Sequence, residues 1–124
     1  MANSTLILGG LLLTAVLWCV VQEVRPASLQ TIKVYKSSGA VQCGTTGLPV
    51  EVMEKTLKMN GIEVLSSFCA HDGYLRPAVC GAGTGLINVY EIETRYLQKA
   101  IDLGFSELGK LPHYRKIPCR TPNS

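Results

Sequence analysis

Four side chains able to do chemistry crowd into six consecutive positions: His71, Asp72, Tyr74 and Arg76. A few residues on, Cys80 to Gly85 reads CGAGTG. These residue types can act as a nucleophile with its base, as metal ligands or as a binding surface, and each use demands its own spacing. A thiol nucleophile at Cys69 or Cys80 would need His71 or His113 as an oriented base, and a thiol left unpaired. A zinc site would gather Cys69, His71, Cys80 and either His113 or Cys119. Such sites usually take two ligands from one tight turn, as C-x₂₋₄-C or H-x₃₋₅-H, and Cys69-x-His71 is the only close pair here. The C-x-x-C spacing of dithiol redox centres is absent. CGAGTG has no Lys after its last glycine and leads into a strand rather than opening a helix, so it fits neither a P-loop nor a dinucleotide fingerprint. Its glycines instead suit positive φ or close backbone approach at a strand entrance. The stretch from Ala70 to Gly85 therefore reads as a binding loop. Its candidate contacts are His71, Asp72, Tyr74, Arg76, Gly81, Gly83 and Gly85, with no catalytic set, no metal and no cofactor expected.

The remaining cysteines bear on compartment. Cys43, Cys69, Cys80 and Cys119 make an even set outside the N-terminal apolar run, and an even set in a small domain reads as two disulfides in an oxidising space. Four cysteines allow three pairings. Element order favours Cys69–Cys80 across the long loop and Cys43–Cys119 between the first loop and the tail. Cys19 lies within the apolar run and reads as an inert thiol.

That run, residues 5–21, is TLILGGLLLTAVLWCVV and carries no charge. It is just long enough to cross a bilayer as a helix, with Trp18 near the interface and Glu23 and Arg25 at the exit. A basic start and a small-x-small cleavage site, the marks of a secretory signal, are missing. Residues 1–25 are thus expected to be an uncleaved anchor in contact with membrane lipid. The following domain is placed in the periplasm or another oxidising extracytoplasmic space.

The elements that must position the loop follow from pattern. After a linker over residues 26–30, Thr31 to Tyr35 alternates as a half-buried strand. Pro49 opens a helix in which Val50, Met53 and Leu57 share a face and Asn60-Gly61 stops the chain. Ile62 to Leu65 reads as a second strand and Leu86 to Ile92 as a third. Thr94 to Leu103 reads as a helix with Tyr96, Leu97, Ala100 and Ile101 buried, and Phe105 to Leu108 as a short final strand. The order β-α-β-β-α(-β) is the ferredoxin-like α+β plan, an antiparallel sheet with two helices on one face, over residues 31–109. Residues 110–124 hold three prolines and a basic set without an acid, an irregular tail.

At 124 residues the chain has room for one small domain. It is 47% hydrophobic and 17% charged, too apolar for a disordered tail. A net charge of +3 lacks the dense basic patch of a dedicated nucleic-acid binder, so no nucleic acid is expected. The anchor-plus-βαββα plan is similar in architecture to cell-envelope modules such as the sporulation-related peptidoglycan-binding repeat. It also resembles type IV pilins in its N-terminal apolar helix, but lacks an acidic residue early in that helix. The expectation is a non-catalytic, anchored accessory subunit whose domain binds or braces a protein partner in a membrane or envelope assembly. The alternatives are a small Cys/His enzyme, or a pilin-like or peptidoglycan-binding module.

Overall fold

A computed structural model describes residues 29–120. The expected anchor and Cys19 lie outside them. Among the described residues no helix is long and apolar enough to cross a membrane.

The chain forms strand β1 (Thr31–Ser37), helix α1 (Val50–Met59), β2 (Ser66–His71) and β3 (Leu86–Glu93). A 3₁₀ turn (Thr94–Tyr96) then leads into α2 (Leu97–Asp102), followed by β4 (Ser106–Glu107), a second 3₁₀ turn (Leu108–Lys110) and β5 (Arg115–Ile117). The five strands make one antiparallel sheet in the order β4-β1-β3-β2-β5. The molecule is a small α+β domain with two disulfides.

Helix α1 follows its sequence signals. Pro49 caps it at φ −60°, Glu51 sits in the first turn and Lys58 in the last, where each suits the helix dipole. Val50, Met53 and Leu57 face inward at spacings of three and four. They meet Val34, Tyr90 and Ile92 of the sheet, with Ala100 of α2 and Phe105. Tyr90 is fully buried in this layer, its ring edge-on to Phe105 at 5.8 Å. Its hydroxyl donates to the Val50 carbonyl at 2.6 Å, which removes the cost of burying it. Burial pushes its phenol well above the usual range, with Glu54 and Glu51 adding to the rise. The expected stripe of the second helix is only partly realised: Ala100 is buried, whereas Ile101 is 39% exposed.

Among the described residues, the opposite face of the sheet carries no helix. Ala70, Ile87 and Val89 are covered there by Leu108 and Leu111. These two belong to residues 108–114, which run from β4 at one edge to β5 at the other. This strap replaces a second helical layer.

Three expectations are corrected. The second strand is Ser66–His71 rather than Ile62–Leu65. Ile62 instead drops into the helical layer, fully buried, with its N–H on the Leu57 carbonyl. The tail is not irregular throughout, since Arg115–Ile117 is β5, paired with Cys69, Ala70 and His71. The disulfides are Cys43–Cys80 and Cys69–Cys119 rather than Cys69–Cys80 and Cys43–Cys119. The cause is register: β5 sets Ile117 opposite Cys69, which brings Cys119 in as a diagonal neighbour on the same face. Cys80, at the far end of its loop, instead meets the segment after β1.

Candidate functional site

The loop between β2 and β3 leaves the sheet at His71, opposite Leu86, and returns through Gly85. Its first turn is closed by side chains. The Gly73 N–H donates to His71 Nδ1 at 3.0 Å and the Tyr74 N–H to Asp72 Oδ1 at 3.0 Å. Arg76 then grips Asp72 with two parallel bonds, 2.9 Å to Oδ1 and 2.6 Å to Oδ2. Bidentate charge-assisted pairs of this kind fix orientation as well as adding energy. The Arg76 guanidinium holds the Asp72 carboxyl below the usual carboxylate range; burial opposes this, and the Tyr74 N–H reinforces it. Gly85 lies tightly under the group: at φ +80° a side chain would be strained, and its Cβ would stand 2.7 Å from His71 Nε2 and 2.9 Å from Asp72 Oδ1 and push those side chains aside.

The second half of the loop is held from outside by Gln42. Its Nε2 donates to the carbonyls of Pro77 at 3.1 Å and Gly83 at 3.3 Å, and its Oε1 accepts the Val79 N–H at 3.0 Å. Its backbone pairs with Ala82 and Gly81, and Val41 bridges Gly83. The Cys43–Cys80 disulfide clamps the same contact. Gly81 and Gly83 thus serve as pairing positions for the segment after β1. The strap closes the remaining side, with the backbone of His113 packed directly on Gly73.

All seven expected loop residues therefore sit in one ordered structure, but in different roles. His71, Asp72, Arg76, Gly81, Gly83 and Gly85 build the loop, and only Tyr74 projects from it. The outward side chains are Tyr74, 57% exposed, Leu75, fully exposed, and Val79, 55% exposed. Leu75 and Val79 are not among the residues that the sequence singles out. Neither is Gln42, which bears no local signal beyond its place beside Cys43.

With both disulfides formed, neither Cys69 nor Cys80 presents a thiol beside His71 or His113. Among the described residues no three His, Cys, Asp or Glu side chains gather closely enough to hold a metal ion. What the loop can do is present a preshaped apolar tip. No protein-family model, no curated protein and no solved structure matches this chain.

Proposed function

We propose that this chain is a non-catalytic accessory protein of a membrane or envelope assembly. Residues 5–21 anchor it in the bilayer, and an oxidised, extracytoplasmic domain of the ferredoxin-like type binds a protein partner through the tip of the β2–β3 loop. One observation carries this reading: Tyr74, Leu75 and Val79 point outward from a loop that Arg76, Gln42 and Cys43–Cys80 hold rigid. Apolar side chains fixed in water cost free energy that a partner recovers. A loop already ordered loses little entropy on docking. The strand order β4-β1-β3-β2 supports the ferredoxin-like plan, with β5 added at the β2 edge.

Position supports the reading too. β1 starts at Thr31 opposite Glu93, and the loop springs from the other end of the sheet, where His71 faces Leu86. Seven residues of strand separate the two ends by about 20 Å. The loop thus lies at the end of the sheet opposite Thr31, which supports a tip available to a partner beyond an anchor joined at the Thr31 end.

The test is the native mass of the full-length protein in mild-detergent extracts of its own membranes, for wild type and for Y74D/L75D. The expected result is a larger assembly for wild type and a free chain for the variant, with non-reducing peptide maps showing both disulfides intact in each. Wild-type protein running as a free chain, or a variant that stays in the assembly, overturns the proposal.

A further inference from the structure

Between α1 and the chain that follows β1 runs an open groove of about 430 Å³, within the ~300–1,000 Å³ typical of ligand clefts. Met53 and Phe105, both buried, line it with Leu48 and Val52, which are 51% and 44% exposed. Lys36 is the one charged residue of the lining, and no carboxylate belongs to it. The half-buried Lys36 ammonium donates to the Leu103 carbonyl at 3.2 Å and lies 5.5 Å from the Phe105 ring centroid. It joins no ion pair among the described residues, and its register partner on β3 is the uncharged Asn88. An ammonium has three hydrogens, so two remain after Leu103. Ser37 Oγ accepts the Gly39 N–H at 3.1 Å and Thr45 Oγ1 the Gly47 N–H at 3.2 Å, which leaves both hydroxyl hydrogens to be donated. The main chain has less to give. The N–H groups of Ser38, Gly39, Gly47, Leu48 and Phe105 are all bonded within the fold.

We infer that this groove binds a medium-chain fatty acid, its carboxylate on Lys36 and its alkyl chain along Leu48, Val52 and Met53. An apolar lining with a single cation matches a molecule with an apolar body and a single anion. The carboxylate meets charge and hydroxyl donors of one kind, with no acidic side chain in the lining to repel it. Half-burial strengthens the pairing, because water screens Lys36 less than it would a surface lysine. The Leu103 carbonyl and the Phe105 ring already hold the ammonium in place, so little side-chain freedom is lost when the anion arrives. Leu48 and Val52 lose water contact when the chain lies on them, and the thioether of Met53 adapts to its shape. A carboxylate borne on a peptide fits less well: its backbone would need donors, and those of the lining are already engaged. Tyr74, Leu75 and Val79 take no part in the groove, so this site stands or falls independently of the partner reading.

The experiment follows the backbone amides of Val52 and Thr56 by NMR in the isotope-labelled full-length protein in mild detergent, titrated with octanoate. Hexanoate, 1-octanol and the tripeptide acetyl-Ala-Leu-Leu serve as comparisons, at free concentrations matched by dialysis. The expected result is a saturable shift of both amides with octanoate, and binding of hexanoate weaker by about fourfold or more because two methylenes leave the groove. Octanol and the tripeptide bind about tenfold or more weakly than octanoate, K36M and V52E each lose about tenfold or more, and K36R retains binding. Thermal unfolding checks that each variant is folded. K36M also gives up the Leu103 bond, so V52E, at an exposed helical position, carries the test if K36M does not fold. No saturable shift with octanoate, equal binding of hexanoate, octanol or the tripeptide, or a folded K36M or V52E that binds as wild type overturns the inference.

Discussion

Two glycines in the β2–β3 loop share a φ and differ in what surrounds them, which makes a controlled experiment. Gly73 has φ +90° and Gly81 φ +89°, so an alanine at either pays about the same penalty for a left-handed residue, roughly 1 kcal/mol. A Cβ at Gly81 meets nothing within 4 Å. One at Gly73 would stand 2.6 Å from the carbonyl carbon of His113 and closer still to its oxygen. Backbone cannot rotate away as a side-chain end can, so the strap must lift from the loop. Forced overpacking of that kind costs about 1–3 kcal/mol more. Gly81→Ala should therefore cost about 1 kcal/mol and Gly73→Ala about 2–4 kcal/mol. In a domain of this size each kcal/mol lowers Tm by about 4–8 °C, a gap easily read by thermal unfolding of the full-length variants. Equal losses for the two variants would refute the claim that the strap presses on the loop at Gly73.

Further outcomes follow from the same contacts. Replacing Cys69 and Cys119 together by serine opens a crosslink spanning 50 residues and should cost about 4 kcal/mol in the chain-entropy picture, with hydrogen exchange rising first over residues 108–117. Loss below about 1 kcal/mol in chemical denaturation would contradict it. Leu57→Ala removes a side chain with no exposure and should cost about 2–5 kcal/mol by the same measurement. Asp72 has its folded pKa lowered chiefly by the Arg76 hydrogen bonds, so its contribution is present above the usual carboxylate range and is lost as pH falls through that lowered value. Carbon-detected titration should find its midpoint below the ordinary value of 3.8, and Arg76→Ala should bring it back up.

Which of these features the sequence makes legible depends on whether the signal is local. Helix α1 is legible because Pro49, the inward spacing of Val50, Met53 and Leu57, and the Asn60-Gly61 stop all lie within its own span. β3 is legible because Leu86–Glu93 is apolar and β-rich enough to be buried on both faces. β2 is not: SSFCAH has no β-branched residue, and it becomes a strand only because β3 and β5 pair with both its edges. β5 is harder still, three residues among prolines whose state is fixed by tertiary pairing alone. The disulfides inherit that difficulty, since the partner of Cys69 is settled by the register of a strand that the local sequence hides. The candidate residues share one loop because they are close in sequence, yet their division into framework and tip needs Gln42, a contact 37 positions from Val79.

The placement of β4 and β5 has a consequence for how the domain is made. Both flanks of the sheet come from residues 106–117, after every other element. A chain emerging N-terminus first holds β1, β3 and β2 ready while each outer strand still lacks its neighbour, and unpaired edges invite association with other chains. The strands that finally cover them are only two and three residues long, too short to template a further strand themselves. Maturation is thus back-loaded: a dozen late residues close both flanks, cover the helix-free face and bring in Cys119. An arrest of synthesis just short of them would leave the most aggregation-prone version of the molecule, so the Cys69–Cys119 disulfide, once the compartment's oxidant has joined the two thiols, doubles as a mark that synthesis has passed that point.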